Sequence, residues 1–222
     1  VSGGSGTLTV PGCGTAIVNS GQAGYYRTLY TQPMLAALTR DFAKLDAIDQ
    51  LGLMADQNAL SVAKYQPYAP SLALRDAVPS NANSKVLAAA ATSYASHYQL
   101  FKDEPKVQAV IARLGNARFA PALARLGMSP KAGESSNDAI LRNQLVPLLG
   151  SMGNASVLAE AKRLFGALDR DPKALDGPMR NTWLSLIAYN ADKATWDKIH
   201  ALAKTETNKQ ARTSLYEMLA GA

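Results

Sequence analysis

The 222-residue sequence has few of the residues from which catalytic and metal sites are usually built. It contains one cysteine, Cys13, and two histidines, His97 and His200. A single cysteine excludes a disulfide within the chain, and no H-E-x-x-H, C-x-x-C or acidic cluster with metal-ligand spacing occurs. We therefore predict no catalytic, cofactor-binding or metal-binding residue here, with Cys13 as an incidental thiol and both histidines as ordinary helical residues.

Long apolar runs and long runs of one charge are also absent. No stretch of 18 or more apolar residues could serve as a membrane-spanning helix. The net charge is +6, but lysines and arginines are spread among acidic residues and no basic run exceeds two residues. The pattern predicts neither a membrane segment nor a nucleic-acid partner. A basic helical repeat that binds nucleic acid stays open as the weakest of the functional hypotheses.

The first 30 residues differ from the rest of the chain. They hold seven of the sixteen glycines and alternate apolar with polar residues in short segments. We predict strands at residues 7–10, 15–19 and 25–30, with a reversal at Gly21 and Gly24, where a positive φ is tolerated. Two or three such strands cannot form a stable sheet alone, so the sequence indicates a small β remnant.

From Gln32 onward the apolar residues recur with the helical period of 3.6. Asn83 or Ser84 can cap one helix, and Pro121 and Pro147 fall inside two others, where proline removes a backbone hydrogen bond. Corresponding helices recur roughly every 30–40 residues, which is the scale of helical-hairpin repeats. The predicted fold is mainly α, an irregular α-α superhelix of HEAT- or armadillo-like hairpins. The predicted helices cover approximately residues 33–42, 46–64, 72–78, 84–101, 105–126, 141–152, 155–168, 178–189, 193–204 and 208–219.

Four tyrosines could line a peptide groove: Tyr65, Tyr68, Tyr94 and Tyr98. The alternative is a core stripe whose hydroxyls reach the surface. For Tyr94 and Tyr98, which lie four residues apart in one predicted helix, we favour the core stripe.

One stretch carries a family resemblance. Residues 21–30, Gly-Gln-Ala-Gly-Tyr-Tyr-Arg-Thr-Leu-Tyr, resemble the N-x-G-x-x-G-Y-Y-R-V-x-Y stretch of gluzincin zinc aminopeptidases of the aminopeptidase N and puromycin-sensitive type. Residues 46–60, 133–142 and 190–197 resemble three later steps of that family in the same order. The resemblance covers residues 15 to 222, and no position matches the family's H-E-x-x-H…E zinc motif.

The resemblance implies that residues 1–30 are the end of a β-sandwich domain and residues 31–222 a truncated superhelical C-terminal domain. It places the zinc in an upstream catalytic domain. The implied function is that of a non-catalytic C-terminal domain that encloses the active-site cavity and shapes peptide access. Its implied partners are the upstream catalytic and β-sandwich domains of the same chain and a peptide substrate.

Three residues are candidates for facing a peptide or an interface: Tyr25, Tyr26 and Arg142. The alternative for each is ordinary packing. For the chain as a whole, the alternative function is a free-standing α-solenoid that binds protein partners. The predicted strands favour the aminopeptidase C-terminal domain over the free-standing α-solenoid, because a free-standing scaffold has no reason to begin with part of a sheet.

Overall fold

The structure, a computed structural model, describes residues 2–10, 12, 14–171 and 173–221. The chain forms two compact units, residues 1–78 and residues 79–222. The predicted domain boundary between residues 30 and 31 lies inside the first unit and stays a prediction. The described residues contain ten α-helices: α1 (Gln32–Arg40), α2 (Ala47–Val62), α3 (Ala69–Asp76), α4 (Ser84–Leu100), α5 (Pro105–Leu126), α6 (Ser136–Ser151), α7 (Ala155–Ala167), α8 (Arg180–Tyr189), α9 (Lys193–Thr205) and α10 (Lys209–Ala220).

The predicted mainly α fold is confirmed, and the helix boundaries follow local chemistry. Five helices begin at a side chain that accepts a hydrogen bond from a first-turn backbone N–H, which satisfies a donor that the helix itself cannot. Pro121 and Pro147 lie inside α5 and α6, and both helices continue through them. The five capping residues are Asn83, Ser135, Asn154, Asp192 and Asn208.

The predicted strands are absent from the part of the chain that the structure describes. Residues 7–10 are irregular and exposed, while Pro11 and Cys13 lie outside the described residues. In residues 18–30, side chains bind the backbone groups that a strand partner would otherwise engage. Asp56 accepts the N–H of Thr28 at 3.0 Å, and Gln57 donates to the carbonyl of Thr28 at 2.9 Å. Residues 18–30 are therefore held in place by side chains of α2 and not by pairing with another strand.

The predicted reversal does occur in the same segment. Gly21 adopts a φ of 75°, as predicted, and a 3-10 turn spans Ser20–Gln22. Asn19 and Gln22 also take positive φ, at 61° and 54°, whereas Gly24 does not. Gly24 is instead crowded, since an added Cβ would collide with the Tyr26 ring.

In the first unit, helices α1 and α2 each contact α3. Leu35, Leu38 and Phe42 are buried and form the apolar centre. Gln50 donates to the carbonyls of Phe42 and Leu45, which ties the α1–α2 connection to α2. The unit is thus a small helical cluster that also carries the irregular segment 18–30.

In the second unit, the helices form two alternating rows. Helices α4, α6, α8 and α10 contact one another in succession, while α5, α7 and α9 each pack against the two members of that row adjacent in sequence. This is the arrangement of stacked helical hairpins. Small residues allow close approach, because a Cβ at Gly150 of α6 would collide with Leu186 of α8. None of the helices in the described residues is long and apolar enough to span a membrane.

Candidate functional site

The second unit contains an open groove of about 860 Å³. Its volume lies in the range of small-molecule and peptide sites. Two helices supply most of the lining, and α8 adds its last residue, Tyr189. The lining residues are Ala91, Thr92, Ala95, Ser96, Tyr98, Gln99, Lys102, Gln108, Asn143, Gln144, Pro147, Leu148, Ser151 and Tyr189.

The groove follows two parallel helices, α4 and α6. Near their N-terminal ends, the Ser84 hydroxyl donates to the Asp138 carboxylate. Near their C-terminal ends, the Tyr98 hydroxyl donates to the carbonyl of Ser151 at 2.8 Å. Because the N-terminal ends of the two helices contact each other and so do their C-terminal ends, the helices run side by side in the same direction. The groove lies over their C-terminal halves.

Tyr98 is part of the groove wall and not of the core stripe that we predicted. Its side chain is half-buried, and burial, followed by the nearby Tyr189 phenol, raises the pKa of Tyr98 above its ordinary value. Tyr94 is in the core as predicted, packed edge-to-face on Phe119 with ring centroids 5.2 Å apart.

The groove presents unused amide groups from both helices. The side chains of Gln99, Asn143 and Gln144 are exposed and have no hydrogen-bond partner within the described part of the chain. Each carboxamide can both donate and accept. These three residues were not predicted from the sequence. Gln99 directly follows Tyr98 on α4, and Asn143 and Gln144 are consecutive residues of α6.

Lys102 is the one formally charged residue among the lining positions, and it has no ion-pair partner within the described residues. Thr92, Ser96 and Ser151 use their hydroxyls as donors to carbonyls of their own helices. The groove is therefore nearly uncharged, and most of its lining surface is apolar.

Arg142 lies inside the second unit, only 1% exposed. Its guanidinium donates to both carboxylate oxygens of Glu134 and to the carbonyls of Gly127 and Leu126. These bonds hold the loop of residues 127–135 against α6. The hydrogen bond from Arg142 holds the pKa of Glu134 below its usual value, and that of Arg142 is raised in return. Contact of Arg142 with a partner stays a prediction.

Tyr25 and Tyr26 lie in the first unit and are exposed, by 109% and 55%. The segment that carries them is fixed on α2 by the buried carboxylate of Asp49, which accepts from the Ser20 hydroxyl at 3.0 Å and the Gly21 N–H at 2.7 Å. The Tyr30 hydroxyl closes the same segment by bonding the N–H and carbonyl of Val18. Two exposed aromatic rings are thus presented on a fixed loop.

The two histidines have ordinary helical surroundings. The Nδ1 of His97 lies 2.6 Å from the Ser93 carbonyl oxygen in the same helix. His200 lies between Trp196 and Tyr216, with ring centroids 4.8 and 6.0 Å away and neither pair of rings parallel. Across the described residues no group of three His, Cys, Asp or Glu side chains could hold a metal ion. The described residues therefore offer no zinc site, and the resemblance places the zinc in another domain.

Comparison with protein families matches residues 16–222 to the ERAP1-like C-terminal domain. Aminopeptidase M1 of Arabidopsis thaliana is 28% identical over 94% of this chain and 25% of its own length. Puromycin-sensitive aminopeptidase of Caenorhabditis elegans is 26% identical over 86% of this chain and 20% of its own length. Aminopeptidase N of Lactococcus lactis subsp. lactis is 23% identical over 75% of this chain and 20% of its own length. The chain thus spans about a quarter or less of the curated relatives that it matches.

Proposed function

Because this chain belongs to the family of ERAP1-like C-terminal domains, we propose that it is the non-catalytic C-terminal helical domain of a zinc-dependent aminopeptidase. In that enzyme it encloses the active-site cavity and shapes the access of peptides. The family match over residues 16–222 carries the proposal. The relatives are named as aminopeptidases, and this is the source of the proposed reaction. The groove over α4 and α6 is a surface on which a peptide could lie.

In this proposal the zinc belongs to a catalytic domain outside these 222 residues. Residues 1–30 lie at the end of a β-sandwich domain of that enzyme, although the described ones form no strand by themselves. Tyr25 and Tyr26 are the contact of this chain with its neighbouring domains. Their exposure on a loop that α2 already fixes supports this assignment, because an ordered aromatic anchor loses little entropy on binding.

The proposal is tested by filling the groove in the full-length enzyme. In Ser151→Trp the new side chain occupies the groove, so hydrolysis of long peptides should fall about five- to ten-fold, since binding energy from remote parts of a substrate contributes to catalysis. Hydrolysis of an aminoacyl anilide, which is too short to reach the groove, should not change.

The matched control is Ser156→Trp, at an exposed position of α7 outside the groove. It should leave both substrates unaffected. Equal losses for the long peptide and the anilide in Ser151→Trp, or no loss for either, would refute a role in peptide access. The free-standing interaction module would then be the better hypothesis.

A further inference from the structure

We propose that the outward face of α5 is the docking site for an acidic amphipathic α-helix of a second protein. This interaction is separate from peptide access and does not depend on the proposed function. The face consists of an apolar stripe, which we call the α5 stripe, with basic residues along both of its edges. The residues of the α5 stripe are Val107, Val110, Leu114, Ala117, Pro121 and Ala124.

The α5 stripe has the spacing of a coiled-coil seam. Its residues follow one another at intervals of three and four, like the a and d positions of a heptad. All six are exposed, Val110 by 47%. The opposite face of α5, which includes the buried Phe119, packs against α4 and α6. An apolar seam about 26 Å long, at 1.5 Å per residue, is therefore left without a helix against it in the described part of the chain.

The charge beside the α5 stripe is entirely positive. Helix α5 contains four basic residues and no acidic one. The helical period places Lys106 and Arg113 along one edge of the stripe. It places Arg118 and Arg125 along the other. Lys106 and Arg113 are exposed and form no ion pair within the described residues.

The other helices of the same row, α7 and α9, lack this combination. The structure describes both throughout, and no large apolar side chain of either is exposed. Each also contains an acidic residue paired with a basic residue of the same helix, Glu160 with Arg163 in α7 and Asp197 with Lys193 in α9. Within this row, α5 alone combines an exposed apolar stripe with basic residues and no acidic one.

These features specify the occupant. A helix with apolar residues at its a and d positions covers the stripe, and glutamate or aspartate at its e and g positions pairs with the basic edges. A second copy of this chain would place α5 against α5 and bring like charges together. Anionic lipid is disfavoured, because membrane-binding faces carry tryptophan, phenylalanine and leucine, whereas half of the stripe is alanine or proline.

The modest apolar content of the stripe favours a separate and reversible partner. Permanently covered interfaces are more hydrophobic than those that form and dissociate. The three larger residues of the stripe are each exposed by less than half, and the other three are alanine or proline. The face therefore tolerates water when free, as a docking site for a second protein must.

The test uses the purified 222-residue chain and a fluorescein-labelled helical peptide of three heptads, with leucine at a and d, glutamate at e and g, and alanine or glutamine elsewhere. Repulsion between the glutamates keeps this peptide from pairing with itself at neutral pH. Fluorescence anisotropy compares it with a scrambled peptide of the same composition and with a peptide that has lysine in place of glutamate. The acidic amphipathic peptide should bind at least about ten-fold more tightly than either.

The first protein variant removes the apolar centre of the stripe. Val110→Gln/Leu114→Gln should weaken binding about ten-fold or more, because less apolar surface is buried. The control is Ile48→Gln/Val62→Gln, which changes two exposed apolar residues of α2 and should have no effect.

The second variant reverses the charge of one edge. Lys106→Glu/Arg113→Glu should weaken binding of the acidic peptide about ten-fold and strengthen binding of the lysine peptide. Lys204→Glu/Arg212→Glu makes the same change in net charge at exposed positions outside α5 and should change neither affinity. Circular dichroism verifies that all four variants keep their helices.

Equally tight binding of the scrambled peptide, or no binding of either acidic peptide, overturns helix docking. Self-association in sedimentation velocity that Val110→Gln/Leu114→Gln abolishes assigns the stripe to a second copy and also overturns it. Binding to phosphatidylserine-containing vesicles without binding of the peptide does the same in favour of a membrane surface.

The full-length enzyme distinguishes a second protein from a helix of the enzyme itself. Binding of the acidic peptide to both the 222-residue chain and the full-length enzyme, with loss in the two α5 variants alone, supports the proposal. Binding to the 222-residue chain only would show that the stripe is already covered within the enzyme, and would overturn the assignment to a second protein.

Discussion

Residues 18–30 and the hairpins of residues 84–220 are held in place by different forces. The segment 18–30 is fixed by hydrogen bonds with three α2 side chains: Asp49 and Asp56 accept from it, and Gln57 donates to it. The hairpins are held by burial of apolar stripes, as at the Tyr94–Phe119 contact. Hydrogen bonds require particular atoms in particular places, whereas apolar burial requires only the correct period and volume. The two regions should therefore respond differently to substitution.

The largest expected effect is on the hairpins. Phe119 of α5 is fully buried against Tyr94. Phe119→Ala should lower the free energy of unfolding of the second unit by about 3–5 kcal/mol, because it removes apolar burial and leaves a cavity. Urea denaturation followed by far-UV circular dichroism measures it. Val110→Ala, at an exposed position of the same helix, should cost less than about 0.5 kcal/mol, and similar losses for both would contradict apolar packing as the main stabilising force.

A smaller and local effect is expected in the segment 18–30. Asp49 is 4% exposed, and its carboxylate accepts both the Ser20 hydroxyl and the Gly21 N–H. Asp49→Ala removes both hydrogen bonds to a charged group and should cost about 1–3 kcal/mol. Hydrogen exchange should accelerate in residues 18–30 and not in the second unit.

The control for this substitution is Asp103→Ala, at an exposed aspartate with no bonded partner in the described residues, which should change neither measure. If Asp49→Ala leaves exchange in residues 18–30 slow, then polar side chains do not fix the segment, and the contrast between the two regions fails.

A helix cap offers a third test, in which polar chemistry acts within the hairpins. The Asp192 carboxylate accepts from the N–H of Thr195 at 2.8 Å at the start of α9, and the Thr195 side chain, followed by this N–H, lowers the pKa of Asp192. Asp192→Ala should cost about 1 kcal/mol in thermal or urea unfolding. Asp192→Asn keeps a capping oxygen and should cost much less. Equal losses would show that charge, and not the cap, is responsible.

The smallest effect concerns pH. Because Arg142 holds the pKa of Glu134 below its ordinary value of 4.5, the fold binds the ionised form more tightly. This contribution is fully present above the ordinary value and is lost as pH falls through the lower folded value. Glu134→Gln should therefore be less stable than the natural chain at pH 7, with a difference that shrinks in acid. A constant difference between pH 7 and about 3 would contradict the linkage.

The helices could be predicted from the sequence because the patterns that indicate them involve residues close together in the chain. Caps such as Asn83 and the 3.6-residue period depend on residues a few positions apart, and the structure places helices at all the predicted positions. The strands predicted at residues 15–19 and 25–30 do not occur, although the reversal predicted between them does. Their β-branched and aromatic residues favour extended backbone, but a strand needs a partner, and here distant α2 side chains bind the backbone instead.

The groove was predictable only in part. Tyr98 was considered for a groove, and the structure places it there. Gln99, Asn143 and Gln144 carried no motif, because a free carboxamide on a helix looks like any solvated position until the adjacent helix is known. That α4 and α6 are parallel neighbours depends on contacts about 50 residues apart, such as that of Ser84 with Asp138. Sequence spacing alone does not reveal them.

The central claim is that these helices serve a zinc aminopeptidase whose catalytic residues lie outside the chain. Sequencing the gene upstream of the codon for Val1 tests it most directly. We expect an open reading frame continuous with this one that encodes an H-E-x-x-H helix, in which the two histidines bind zinc and the glutamate acts as general base. A start codon next to Val1, with no such motif upstream, would contradict the claim and favour a free-standing helical module.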